Sequence, residues 1–217
     1  LNPADAAVPP ALKSRKLPRQ RRSVATVELI REATIQVLLS DGLARLTTTR
    51  VAERAGVSVG SLYQYFPNKQ ALLFALLLSH FDEMAAAMEG VAAQLPDRTL
   101  DRLADGIADA YVDVKMAKPE ATTALYRVAA AIDQVRLPAD AIQRLETATV
   151  ALLQGASDAR FADPRRAAFT LLGALAGVTR GSFGNPATRD EALVHLPIEA
   201  RRLARAYLRA AAAGDDD

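Results

Sequence analysis

The 217-residue chain has no cysteine, only two histidines, and aromatic residues at just 5% of positions. Without cysteine there can be no disulfide, thiolate metal site or thiol nucleophile, and the composition suits a reducing compartment. His80 and His195 stand alone, with no second histidine or cysteine at ligand spacing, so neither suggests a metal centre. Few aromatics and few stretches of alternating apolar and polar residues leave β-structure little to build on. Glycine-rich phosphate loops, paired-histidine motifs and recognisable nucleophile–base pairs are also missing. The residues therefore imply no cofactor, and a helical-bundle enzyme becomes the weakest reading. The longest uncharged apolar run, Ala167–Thr179, is shorter than the roughly 18 to 20 residues of a membrane span. Basic residues between Lys13 and Arg22 adjoin no apolar core and do not resemble a secretory signal. A cytoplasmic protein without a membrane segment is expected.

What is present is hydrophobic: 50% of residues are apolar, enough for a sizeable core, and alanine and leucine dominate. An all-α fold of about nine helices follows. The net charge of +2 conceals an asymmetry, because residues 1–70 carry 11 Lys/Arg against 5 Asp/Glu, while the remainder is acidic. The basic end is expected to face a polyanion, although residues 1–22, rich in proline, alanine and basic groups, also read as a solvated flexible arm. From Ser23 the apolar residues Val27, Ile30, Val37 and Leu38 recur at helical spacing, and Asp41-Gly42 supplies a stop. Short helices are expected from the Thr47 cap to Ala55 and from Ser58 to Phe66, then a long one from Asn68 to Gln94. Beyond Pro96 the expected helices span Asp97–Ala117, Pro119–Gln134, Pro138–Arg160, Pro164–Phe183 and Ile198–Ala213. The organisation read from this is a flexible arm (1–22), a small three-helix domain (23–68), a larger helical body (69–213) and a disordered acidic tail (214–217).

The segment from Thr47 to Phe66 meets the demands of a helix-turn-helix. Two short helices crossing steeply need a small residue at the crossing, a residue tolerant of positive φ in the turn, and apolar plugs beneath. Ala52, Gly56 and Leu62 supply these, with Val51, Ala55, Val57 and Phe66 completing the plug. Ser58 caps the second helix, so its N-terminal amides and dipole can also face a phosphate.

The whole stretch Leu46–Leu73 closely resembles the DNA-binding signature of the TetR family of transcriptional regulators. The resemblance rests above all on the turn Ala55-Gly56-Val57-Ser58, followed by Leu62-Tyr63-Gln64-Tyr65-Phe66 and Lys69. It implies that the helix after Ser58 enters the major groove of double-stranded operator DNA. Val59, Gly60, Ser61, Tyr63 and Gln64 are then the candidate base readers. Gln64 suits adenine, Ser61 several bases, and Val59 the thymine methyl. Thr47, Thr48, Ser58, Tyr63, Tyr65 and Lys69 are candidates for phosphate contact. Tyr65 could instead pack beside Phe66, and Lys69 could be an ordinary solvated lysine.

The resemblance further implies a homodimer on a palindromic site, acting as a repressor by blocking polymerase, with a body cavity for a small apolar or amphipathic effector. Gly173, Gly177 and Gly181, every fourth residue, offer a surface for close helix approach. Leu203 and Tyr207 belong to a second stripe, on the last helix. Together they are the candidate dimer interface, with packing inside one subunit as the alternative. Phe81, Met84, Met88, Leu103, Ile107, Tyr111, Tyr126 and Phe169 are candidate pocket lining or plain core. Asp97, Asp101, Asp105, Asp109 and Asp113 read as a solvated face, with a cation-binding wall as the alternative. A ligand-independent or architectural DNA-binding protein is the main competing function.

Overall fold

The computed structural model describes residue 14 and residues 21–131, 139–184 and 187–213. The expectations for the acidic tail, for most of the basic arm and for the helix ends near residues 132–138 fall outside the described residues. Among the described residues the chain forms nine helices and no strand. They are α1 (Arg21–Arg45), α2 (Thr48–Ala55), α3 (Val59–Tyr65), α4 (Lys69–Gln94), α5 (Leu100–Ala117), α6 (Pro119–Ala131), α7 (Ala139–Gln154), α8 (Pro164–Gly184) and α9 (Arg189–Ala213). The chain divides into two compact units.

The first unit holds α1–α3, α4 as far as His80, and α6 from Thr123. Its core joins Val27, Ile30 and Val37 of α1 to Val51, Leu62 and Phe66 of the short helices. Leu72, Leu73, Leu76 and Leu77 of α4 and Ala124, Leu125 and Val128 of α6 enclose the same core. The unit therefore runs past the boundary expected at Asn68, because the head has too few apolar residues of its own to close a core without the start of α4. Gly42 interrupts α1 with φ 76° and ψ 169°, where the sequence placed the stop. Arg31 Nη1 donates to Ser79 Oγ at 3.0 Å and ties α1 to α4.

The second unit contains α4 from Phe81, α5, and α7–α9. Along α5 the buried positions Leu103, Ile107, Tyr111 and Lys115 recur every four residues. On α9 Leu196, Ala200, Ala204 and Leu208 do the same. Sequence reading began the last helix at Ile198 because of Pro197, but α9 begins at Arg189 and carries Pro197 inside it. The helix survives because its buried stripe begins at Leu196, before the proline, so tertiary packing offsets the lost backbone hydrogen bond. Conversely α7 ends at Gln154 rather than Arg160, since Gly155 turns back onto the carbonyls of Ala151 and Leu152 at 3.2 and 3.1 Å. Helix α4 is long and apolar enough to cross a membrane, which a search for uncharged runs did not register, and 61% of its most apolar stretch is buried inside the protein. That burial is the pattern of a core helix.

Asp97 and Asp113 are exposed, as expected of a solvated face, but the three aspartates between them are not simply solvated. Arg201, Arg205 and Arg209 of α9 each grip one of Asp109, Asp105 and Asp101 through two hydrogen bonds. Each step of four along α5 is answered by a step of four back along α9, so the ladder fixes the register of an antiparallel pair. Hydrogen bonding from Arg209 holds the Asp101 carboxyl below its ordinary range. The rungs are partly open to water, so their worth lies in alignment more than in net stability.

Lys115 is the buried charge of α5, 6% exposed, with its ammonium 5.5 Å from the ring centre of Tyr111. Desolvation pushes its pKa down from 10.5 to about 8. Between those two values the unfolded chain binds more protons than the folded one, so stability rises with pH over that window, by at most about 3 kcal/mol. Below pH 8 both states are protonated and the penalty is constant. Urea denaturation from pH 7 to pH 10 is expected to show this rise, and Lys115→Met is expected to remove it while being the more stable protein at pH 7.

Candidate nucleic-acid interface

Helices α2 and α3 are too short to persist alone, and local caps and the core beneath them set their geometry. Thr47 caps α2, its hydroxyl accepting from Arg50 N at 3.3 Å. Gly56 ends α2 in the left-handed conformation, φ 66° and ψ 29°, with its amide directed at the carbonyls of Ala52 and Glu53. A side chain there would be strained, which explains glycine in the turn. Ser58 Oγ accepts from Ser61 N at 3.0 Å and caps α3. Below, Leu62 and Val51 are fully buried and Ala52 is 1% exposed. The turn thus has the crossing, the positive φ and the plug that its sequence called for.

The candidate readers do not share one environment. Gly60 and Gln64 are exposed. Val59 is half-buried and packs against the core of the first unit, which leaves only part of it for a thymine methyl. Ser61 Oγ lies 2.8 Å from Ser58 Oγ. Tyr63 is 39% exposed, and its hydroxyl meets Thr48 Oγ1 at 3.0 Å, a bridge between α2 and α3 that ties two candidate DNA contacts together. Among the candidate phosphate contacts, Thr47 and Ser58 are exposed and Thr48 is half-buried. Tyr65 is 7% exposed and forms part of the core with Phe66, so its ring packs rather than projects. Lys69 is no ordinary solvated lysine. Its ammonium donates to Leu43 O at 2.7 Å, fastening the start of α4 to the segment after Gly42. An ammonium has three donors, so two remain for a phosphate.

In the second unit, Met84, Met88, Leu103, Ile107 and Tyr111 are buried and Phe81 is half-buried. Met88 and Leu103 line a cavity of about 310 Å³ between α4, α5 and α7. Tyr126 falls in the first unit. Phe169 is 71% exposed, because the buried face of α8 is carried by Ala167, Ala168, Leu171 and Leu175 instead. Gly173, Gly177 and Gly181 are exposed, and a Cβ on any of them would meet nothing within 4 Å. Leu203 and Tyr207 are half-buried. The sequence reading missed exposed Val194 and Ile198 on α9, and with them the arginine series facing the aspartates. Four-residue spacing of Arg201, Arg205 and Arg209 was the available signal. Among the described residues no cluster of three His, Asp or Glu side chains could hold a metal ion.

Residues 30–76 match the family model "Bacterial regulatory proteins, tetR family", and residues 99–208 match "Tetracyclin repressor-like, C-terminal domain". The nucleoid occlusion factor SlmA of Haemophilus influenzae is 30% identical over 149 residues, 67% of this chain and 65% of SlmA. The chain thus spans a little under two thirds of that relative's length. The HTH-type transcriptional repressor KstR of Mycolicibacterium smegmatis is 38% identical over 63 residues, 29% of this chain and 31% of KstR. In fold, the chain resembles a TetR-family transcriptional regulator from Streptomyces coelicolor, with a TM-score of 0.60 and 24% identity over 86% of this chain and 99% of that one. A TetR transcription regulator from Haloarcula marismortui gives 0.65 and 19% identity over 87% and 98%. With a helix-turn-helix in its first unit and both family regions matched, this chain belongs to the tetR family of bacterial regulatory proteins.

Proposed function

We propose that the protein is a cytoplasmic repressor that binds a palindromic operator as a homodimer and is released by a small apolar or amphipathic effector held in its second unit. The observation that carries the DNA-binding part is the braced helix pair: α3 leaves Gly60 and Gln64 open to a groove, while the Thr48–Tyr63 bridge and the Lys69–Leu43 bond fix its surroundings. Gln64 is the base reader, able to accept from N6 and donate to N7 on the major-groove edge of adenine, and Gly60 allows the backbone to approach. Thr47, Thr48, Ser58, Tyr63 and Lys69 position the head on phosphates. The dimer is formed by α8 and α9, through Phe169, Gly173, Gly177 and Gly181 with Val194 and Ile198. The repressor sense is supported by the name of KstR.

Two substitutions separate reading from positioning. Lys69→Ala is expected to weaken binding to operator and random duplex by the same factor, about tenfold, because phosphates carry no sequence. Gln64→Ala is expected to weaken the operator by about tenfold or more at one base pair and to leave random duplex nearly unchanged. Equal losses on both duplexes for Gln64→Ala would remove Gln64 from the reading role.

Similarity to SlmA, a nucleoid occlusion factor, favours a second reading in which the DNA-bound protein acts without small-molecule release. Under that reading no compound that raises the melting temperature of the protein would displace it from its operator.

A further inference from the structure

We propose that the cavity between α4, α5 and α7 is a binding site for a small amphipathic anion, its apolar part inside and its carboxylate on Arg98. The cavity, about 310 Å³, stands at the lower end of the range for small-molecule sites. Met88, Ala92, Leu103, Ala148, Ala151 and Leu152 make its walls almost wholly apolar. Two charged residues complete the lining, and they differ in one respect. Glu89 is already matched: Arg144 Nε and Nη2 donate to its two oxygens at 2.8 and 2.7 Å. Arg98 is not, because among the described residues no carboxylate lies within ion-pair distance of it. Its guanidinium has only a 3.5 Å contact, from Nη2 to Ala92 O on the cavity wall, and most of its five donors remain open.

The backbone beneath Arg98 is held firmly. Its carbonyl accepts from Ser157 N at 2.9 Å, and Leu100 N donates to Asp158 Oδ1 at 2.7 Å, joining the start of α5 to the segment after α7. Gly155, also part of the lining, keeps the rim low: a Cβ there would come within 3.4 Å of the Ala151 and Leu152 carbonyls and 3.8 Å of Arg98 Nη1. The site therefore has an apolar interior, one neutralised acid and one cation with open donors in planar array, which suits a carboxylate in two-pronged contact. A cationic amphiphile is repelled by the same group, and a neutral one gains only the interior.

The effector role of this site rests on the regulator reading above; its binding chemistry does not. The test uses the full chain with octanoate, octan-1-ol and octylamine as probes, and titration calorimetry as the readout. Octanoate is expected to bind one per chain and at least about tenfold more tightly than octanol, with octylamine weakest. Arg98→Gln is expected to abolish the preference for octanoate while leaving octanol within about twofold, and Ala148→Phe to remove both by filling the cavity. Equal affinity for octanoate and octanol, or an octanoate preference that survives Arg98→Gln, would overturn the assignment, as would the absence of saturable binding. Operator release is measured in parallel. Release by octanoate supports the site as the effector site, whereas binding without release keeps the anion site and contradicts its regulatory use.

Discussion

Gly177→Glu is expected to convert the protein from a dimer to a monomer at micromolar concentration and to lower operator affinity by about 100-fold or more. Gly177 lies in the middle of α8, exposed, with nothing within 4 Å of where a Cβ would stand. Within one chain the substitution is therefore harmless, and by helix propensity it is favourable by several tenths of a kcal/mol. Gly173, Gly177 and Gly181 together forgo about 3 kcal/mol of helix propensity relative to alanine. Exposed glycines at this spacing make sense when another helix must lie against them, and a carboxylate would then be buried opposite its own symmetry mate. Phe169, one turn before Gly173 on α8, and Val194 and Ile198 on α9 are 71%, 72% and 52% exposed, apolar area that a monomer would leave in water. Two linked heads bind as one because the second contact is intramolecular, and separating them forfeits that gain. Sedimentation and operator titration check both parts; an intact dimer with unchanged affinity would place the interface elsewhere.

Leu62→Ala is expected to destabilise the first unit by about 2–5 kcal/mol and to eliminate operator binding, although Leu62 is not placed to touch DNA. The side chain is 0% exposed and is surrounded by the core of that unit. Helix α3 has seven residues, so its orientation comes from Leu62 and Phe66 beneath it rather than from its own hydrogen bonds. Losing the Leu62 plug leaves a cavity that a seven-residue helix can tilt into. Denaturation with a probe in each unit is expected to show the first unit melting early. If affinity stayed intact at that loss of stability, α3 would be held by something other than its plug.

The helix-turn-helix could be read from sequence because each of its requirements is met locally. Thr47 and Ser58 cap, Gly56 takes the positive φ, and Leu62 points inward, all within twenty residues. The extent of the head could not, since Leu72 to Leu77 are as compatible with a body helix as with the plug that they complete. Pro197 misled for the opposite reason: a local rule was right about propensity and was overridden by burial on either side. The aspartates of α5 were visible as a periodic series, but their partners are 92 to 108 residues away and only the fold brings them opposite. Phe169 illustrates a further limit. An aromatic residue in an apolar helix reads as core, and only the packing of α8 shows it facing outward.

The reading of DNA sequence is most directly tested by selecting bound duplexes from a randomised pool at physiological salt, then competing the selected site against random DNA. The account predicts a palindrome whose half-sites lie about one helical turn apart, preferred over random duplex by a factor of about 10³ or more. A pool that stays unenriched, with random DNA competing on equal terms, would contradict it.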